Sequence, residues 1–131
     1  MTAFKHSNLK VYIPTDNKFN YKECKKLYKQ SKKKLGDKRT FREVIEDSFF
    51  YSFFTENNTF IGCIYLYYED NKLFLNGYAN RHMPTIECMK LIPDWFNCDI
   101  YARSKQKPAI ITLLKSGFKK IDNNLFKYER K

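Results

Sequence analysis

The sequence predicts an α+β domain with a mixed central sheet, and three patterns carry that expectation. Between Phe50 and Asn80, short apolar runs alternate with Asn- and Asp-rich turns, the signature of an antiparallel meander. Two stretches before the meander and two after it repeat apolar residues at helical spacing, with recognisable start or stop signals. The last third of the chain, from Asn97 to Lys131, runs from strand to helix to a final pair of strands.

Residues 9–13 alternate as a strand that stops at Pro14-Thr15-Asp16. Asn20 followed by Glu23 has the form of a capping box. Beyond it Tyr21, Cys24, Leu27, Tyr28 and Leu35 form one helical stripe, with lysines opposite and Gly36 as terminator. Thr40-Phe41-Arg42-Glu43 opens a second, short helix containing Val44 and Ile45, which gives way to strand near Phe49. Strands are expected over about 50–56, 59–69 and 73–80, separated by Glu56-Asn57-Asn58 and Glu69-Asp70-Asn71-Lys72. The middle one, TFIGCIYLYYE, is apolar on both faces, as a covered central strand should be.

The loop Arg81-His82-Met83-Pro84 then leads to Thr85, the expected cap of a helix over 86–96. Pro93 either kinks that helix or ends it early. A strand at 100–103 precedes an amphipathic helix carrying Ala109, Ile110, Leu113 and Leu114. That helix stops at Lys115-Ser116-Gly117-Phe118, where Gly117 supplies left-handed backbone and Phe118 folds back onto Leu113 or Leu114. Two short strands close the chain around Asp122-Asn123-Asn124. No repeat, linker or low-complexity segment interrupts it, so residues 1–131 are expected to be one domain.

Bulk properties narrow the function classes. A hydrophobic content of 43% with 18% aromatics excludes a disordered chain, because so much apolar surface demands a core. No apolar run approaches the ~18 residues that span a bilayer. The opening MTAFKHSNLKVYIPT lacks the apolar core of a signal peptide, so a cytosolic location is expected. Cys24, Cys63, Cys88 and Cys98 have no C-x-x-C spacing and no paired histidines, so reduced, buried thiols are expected and a metal is not. The net charge of +11 attracts anions of every kind, and much of it lies between Lys22 and Arg39. That run reads as the solvated face of a helix; no finger, Arg-Gly tail or aromatic stacking platform accompanies it, so nucleic acid is a secondary expectation.

The segment NCDIYARSKQKPAIITLLKSGFKKIDNNLFKYERK resembles the C-terminal part of the GNAT superfamily of N-acetyltransferases. There the phrase runs N-x-x-A-x-x-x-Y-x-K-x-G-F, and the element order of this chain follows the same family along nearly its whole length. The resemblance implies a mostly antiparallel sheet whose fourth and fifth strands splay apart to take the pantetheine of acetyl-CoA. It also implies a pyrophosphate loop, Q/R-x-x-G-x-G/A, falling here on Arg81-His82-Met83-Pro84-Thr85-Ile86. Arg81 matches the first position. Pro84 and Ile86 replace the two glycines, removing an amide donor and adding a branched side chain. Cofactor contacts are therefore expected from Tyr78, Asn80, Arg81, His82, Thr85 and Gln106, the last standing for the family's Asn; alternatively Arg81 and His82 are an ordinary turn and Thr85 only a cap.

The family's Ala falls on Ala109 and its Tyr, the usual general acid, on Leu113, which has no proton to give. The nearest phenol is Tyr101; the nearest acids are Glu69 and Asp99, and His82 is the loop's titratable group. No catalytic set follows from these. Two functions are thus expected: an acetyl-CoA-dependent N-acetyltransferase acting on a protein or small-molecule amine, or a binding protein of the same fold without catalysis. The second resembles the small GNAT-like proteins that bacteriophages encode, some carried inside the virion, which would contact a host factor or nucleic acid.

Overall fold

The computed structural model describes residues 9–80 and 85–130. The elements run β1 (Lys10–Tyr12), α1 (Tyr21–Leu35), α2 (Phe41–Asp47), β2 (Phe49–Phe54), β3 (Phe60–Glu69), β4 (Lys72–Ala79) and α3 (Thr85–Leu91). A 3₁₀ turn (Ile92–Trp95), β5 (Ile100–Arg103), α4 (Lys107–Lys115), β6 (Lys119–Asp122) and β7 (Leu125–Tyr128) complete them. The strands form a seven-stranded sheet in the order β1-β2-β3-β4-β5-β7-β6. Antiparallel pairing joins β1 to β2, β2 to β3, β5 to β7 and β6 to β7, while β4 and β5 pair in parallel. The mixed α+β architecture is the expected one. The described chain divides into two compact units, one of residues 9–66 and 77–80 and one of residues 67–76 and 85–130.

In the first unit, local signals set the helices. The Asn20 side chain accepts from the Glu23 amide at 3.1 Å, and Gly36 ends α1 at φ 68°. Thr40 and Glu43 form a complete capping box, each side chain bonding the other's backbone amide. The expected stripe on α1 is narrower than its apolar residues suggest. Cys24 and Tyr28 are buried, Leu27 and Leu35 only half-buried, and Tyr21 is exposed although its ring meets Phe41 edge-on. Against this helix lie the rings of Phe41, Phe50, Tyr65 and Tyr78, with centroids 5.5–6.4 Å apart in the contacting pairs.

Burying tyrosines requires acceptors for their hydroxyls. Tyr28 donates to the Arg39 carbonyl at 2.7 Å, Tyr65 to the Asp37 carboxylate at 2.9 Å and Tyr78 to the Cys24 carbonyl at 2.8 Å. Asp37 is also clamped by both nitrogens of the Arg39 fork, at 3.0 and 2.8 Å. Burial opposes its charge, but the hydrogen bonds from Arg39 and Tyr65 outweigh it and hold the carboxyl below its ordinary value. Strand β3 fulfils the covered-strand expectation, with every residue from Ile61 to Leu66 buried.

In the second unit, Asp70 and Asn71 both take left-handed backbone, φ 52° and 62°, in the two-residue turn between β3 and β4. Strand β4 then pairs with β5 at Leu73↔Ile100 and Phe74↔Tyr101. Pro93 ends the third helix early rather than kinking it: α3 closes at Leu91 and a 3₁₀ turn replaces the rest of the expected 86–96 helix. On α4 only Leu113 is buried, and Leu114, expected on the apolar stripe, is half exposed.

The stop after α4 is a full Schellman arrangement. The Phe118 amide donates to the Leu113 carbonyl at 3.0 Å and the Gly117 amide to the Leu114 carbonyl at 3.3 Å. Gly117 sits at φ 101°, and the buried Phe118 ring packs with Tyr128 at 5.7 Å. All four cysteines are free thiols; Cys24, Cys63 and Cys88 are buried and Cys98 is half-buried.

Two predictions follow from these local arrangements. Gly117→Ala meets both a forbidden backbone angle and the Tyr128 ring, whose nearest carbon would lie 3.1 Å from the new methyl. Urea unfolding should show a loss of about 1–3 kcal/mol; an unchanged midpoint would contradict the assigned helix stop. Because the Asp37 pKa is depressed on folding, its stabilisation is present above the ordinary value of 3.8 and fades as pH falls through the folded value. Asp37→Asn should therefore cost about 1–3 kcal/mol at neutral pH, with the deficit shrinking well below pH 3.8. A deficit equal at both pH values would show that the charge is not what stabilises.

Candidate functional site

The residues that the sequence singles out for cofactor contact divide between described and undescribed parts of the chain. Arg81 and His82, with Met83 and Pro84, lie outside the described residues. Thr85 is the first residue of α3, so the helix begins on it rather than after it.

Tyr78 and Asn80 stand at the end of β4 in the first unit, and both donate to protein carbonyls. The Tyr78 ring is buried and contacts those of Tyr28, Phe50 and Tyr65. Its hydroxyl bonds the Cys24 carbonyl of α1, and burial, with the Cys63 thiol beside it, raises its pKa far above that of a free phenol. A phenol so placed stays neutral and fixes β4 to α1. The Asn80 amide donates to the Ile61 carbonyl at 3.1 Å and its carboxamide to the Phe60 carbonyl at 2.8 Å. These two bonds secure the last turn of chain before Arg81. Beside them Glu23, Lys26, Leu27, Gln30, Thr59 and Asn80 line part of an open concavity of about 410 Å³.

Gln106 belongs to the second unit. It is the N-cap residue of α4; its carbonyl accepts from the Ile110 amide at 2.9 Å and its own amide donates to Ser104 Oγ at 3.2 Å. Its side chain makes no cap bond, and Pro108 in the first turn removes one of the helix's free amides. Leu113, which the sequence resemblance sets at a tyrosine position, is buried.

The candidate acids and bases of this unit are engaged elsewhere. Glu69 is ion-paired with Arg103, whose guanidinium lies 4.0 Å over the Phe74 ring. Asp99 accepts from the Arg130 amide at 2.8 Å and pairs with Lys127 at 3.4 Å; the amide bond chiefly holds its carboxyl below the ordinary range. A carboxylate so stabilised is a weak base. Tyr101 is the more exposed phenol, with Lys72 and Lys127 ammonium groups 5.8 and 5.7 Å from its ring and Phe74 packed against it. Spacing did not reveal that cationic bracket, because its lysines come from different strands.

No family model matches the chain, and no curated protein matches it in sequence. Solved structures do match in shape. A GNAT-family acetyltransferase from Staphylococcus aureus Mu50 superposes with a TM-score of 0.63 at 14% identity, over 94% of this chain and 99% of its own. The PaiA N-acetyltransferase from Thermoplasma acidophilum, solved in complex with coenzyme A, superposes at 0.56 with 15% identity, over 94% and 98%. The chain therefore has the GNAT acetyltransferase fold, including the parallel β4–β5 pair.

Tyr78→Phe tests whether this residue holds structure or ligand. Removing the hydroxyl leaves the Cys24 carbonyl buried without that donor and should cost about 1–3 kcal/mol in urea unfolding. Coenzyme A affinity, measured on the folded variant, should stay within about twofold, roughly 0.4 kcal/mol. A large affinity loss with unchanged stability would place the phenol on the ligand instead.

Proposed function

We propose that residues 1–131 form one acetyl-CoA-dependent N-acetyltransferase domain acting on an amine of a protein or small molecule. The observation that carries this reading is the shape match along 94% of the chain to two GNAT acetyltransferases, one of them holding coenzyme A. The bound thioester would supply an activated acetyl group, and the chain's part is to place the amine beside it, since positioning alone is worth several powers of ten in rate.

In the first unit Arg81 carries a charge that pairs with phosphate, and His82 beside it in sequence adds ring nitrogens. In the second unit the amides at the start of α3 and the Gln106 carboxamide are donors in their own right. Tyr78 and Asn80 serve by holding the end of β4, from which the loop departs. With Leu113 at the usual acid's position and Glu69 and Asp99 engaged in ion pairs, no described side chain is assigned as acid or base. The net charge of +11 favours an acidic acceptor over a polycationic one.

Calorimetric titration with acetyl-CoA, run on the parent chain and on Arg81→Ala together, tests the reading. Saturable binding is expected, and Arg81→Ala should weaken it by about 1–3 kcal/mol, the scale of one charge-assisted hydrogen bond. Equal affinity of the variant would move the phosphate site away from Arg81. An absence of binding at millimolar cofactor would sink the enzyme reading and leave a non-catalytic domain of the same fold.

A further inference from the structure

Helix α1 carries Lys22, Lys25, Lys26, Lys29, Lys32, Lys33 and Lys34 against a single acid, Glu23. At about 100° per residue, Lys22, Lys26, Lys29 and Lys33 fall within about 60° of one another. They lie opposite the buried face of Cys24 and Tyr28 and extend over roughly 16 Å of helix. None of these four takes part in a salt bridge among the described residues.

Helix energetics do not account for this face. Like charges three and four residues apart repel, and the run contains Lys22/Lys26, Lys26/Lys29 and Lys29/Lys33 in succession. The macrodipole favours the lysines of the last turn but opposes Lys22, Lys25 and Lys26, which sit near the positive end. Toward the C-terminus, Lys29, Lys32, Lys33 and Lys38 line, with Gly36 and Asp37, an open concavity of about 600 Å³. Its one carboxylate does not neutralise them, because Asp37 is held by the Arg39 fork and the Tyr65 hydroxyl.

We propose that this face of α1 binds the phosphate backbone of nucleic acid, without reading its sequence. A row of ammonium groups several residues long matches a repeating anion better than a single phosphate. Lysines meet phosphates as point charges and carry no base code. A membrane fits less well, since the helix has already buried its apolar side and has nothing to insert. An acidic protein fits less well too, for only Tyr21 among the large apolar residues of α1 is exposed, and protein interfaces need such anchors at their centre. The proposal rests on charge placement and is independent of the acetyltransferase reading.

Fluorescence anisotropy with labelled 20-nucleotide single strands and duplexes of several sequences, over a salt series, tests it. Binding should be similar across sequences and fall linearly in log–log form with salt. Lys29→Gln/Lys33→Gln, checked for folding by circular dichroism, should weaken binding at least tenfold. It should also flatten the single-strand slope by about 1.4, two contacts at about 0.7 each. Lys119→Gln/Lys120→Gln on β6 should leave both unchanged. The proposal is overturned by no binding to either form at physiological salt, or by an unchanged slope in the α1 variant. Equal or tighter binding to polyglutamate or to phosphatidylserine vesicles would overturn it as well.

Discussion

Three phenols buried in one aromatic cluster impose the constraint on which the first unit depends. A buried hydroxyl without an acceptor costs about 1–3 kcal/mol, so Tyr28, Tyr65 and Tyr78 can be interior only if the chain brings carbonyl or carboxylate oxygens to each. It does so with Cys24 on α1 and with Asp37 and Arg39 in the segment between α1 and α2. The same bonds therefore fix the rotation of α1, tie β3 and β4 to that helical edge, and hold Asp37 in its pair with Arg39. Two consequences bear on function. The end of β4, from which the candidate cofactor loop leaves, is anchored, and the lysines of α1 are turned to solvent with no acid from Asp37 to offset them.

Most of the fold was legible because it is written in local chemistry. Asn20, Thr40 with Glu43, Gly36 and Gly117 each act on their own turn of backbone, and each does in the structure what its residue type requires. The central position of β3 was legible for a related reason: a strand apolar on both faces has nowhere else to go. Departures came where packing by distant elements decides. Leu27, Leu35 and Leu114 lie on helical stripes yet are covered only partly, because helical spacing alone does not say what packs over each position. Pro93 left two outcomes open, and the shortened α3 is the one realised.

The candidate site was less legible, because its residues act through long-range partners. Tyr78 and Asn80 are marked by their place at the end of β4, but their bonding to Cys24, Phe60 and Ile61 depends on chain up to 54 residues away. The ion pairs that occupy Glu69 and Asp99 likewise join residues about thirty apart in sequence. Sequence spacing reports what is near along the chain, and these charges are neutralised across the sheet. That Leu113 stands where the resemblance sets a tyrosine, by contrast, was plain by counting back from Gly117-Phe118.

Acetyl-CoA is itself a polyanion, so binding alone does not distinguish a cofactor loop from a lysine face. Amide chemical-shift mapping during a coenzyme A titration does. The account predicts saturable shifts at Asn80, Arg81, His82 and the amides that follow Thr85, with the α1 lysine face moving little at physiological salt. Shifts confined to residues 22–38, weakening together as salt rises, would contradict the cofactor assignment and leave this chain with the acetyltransferase fold but without its site.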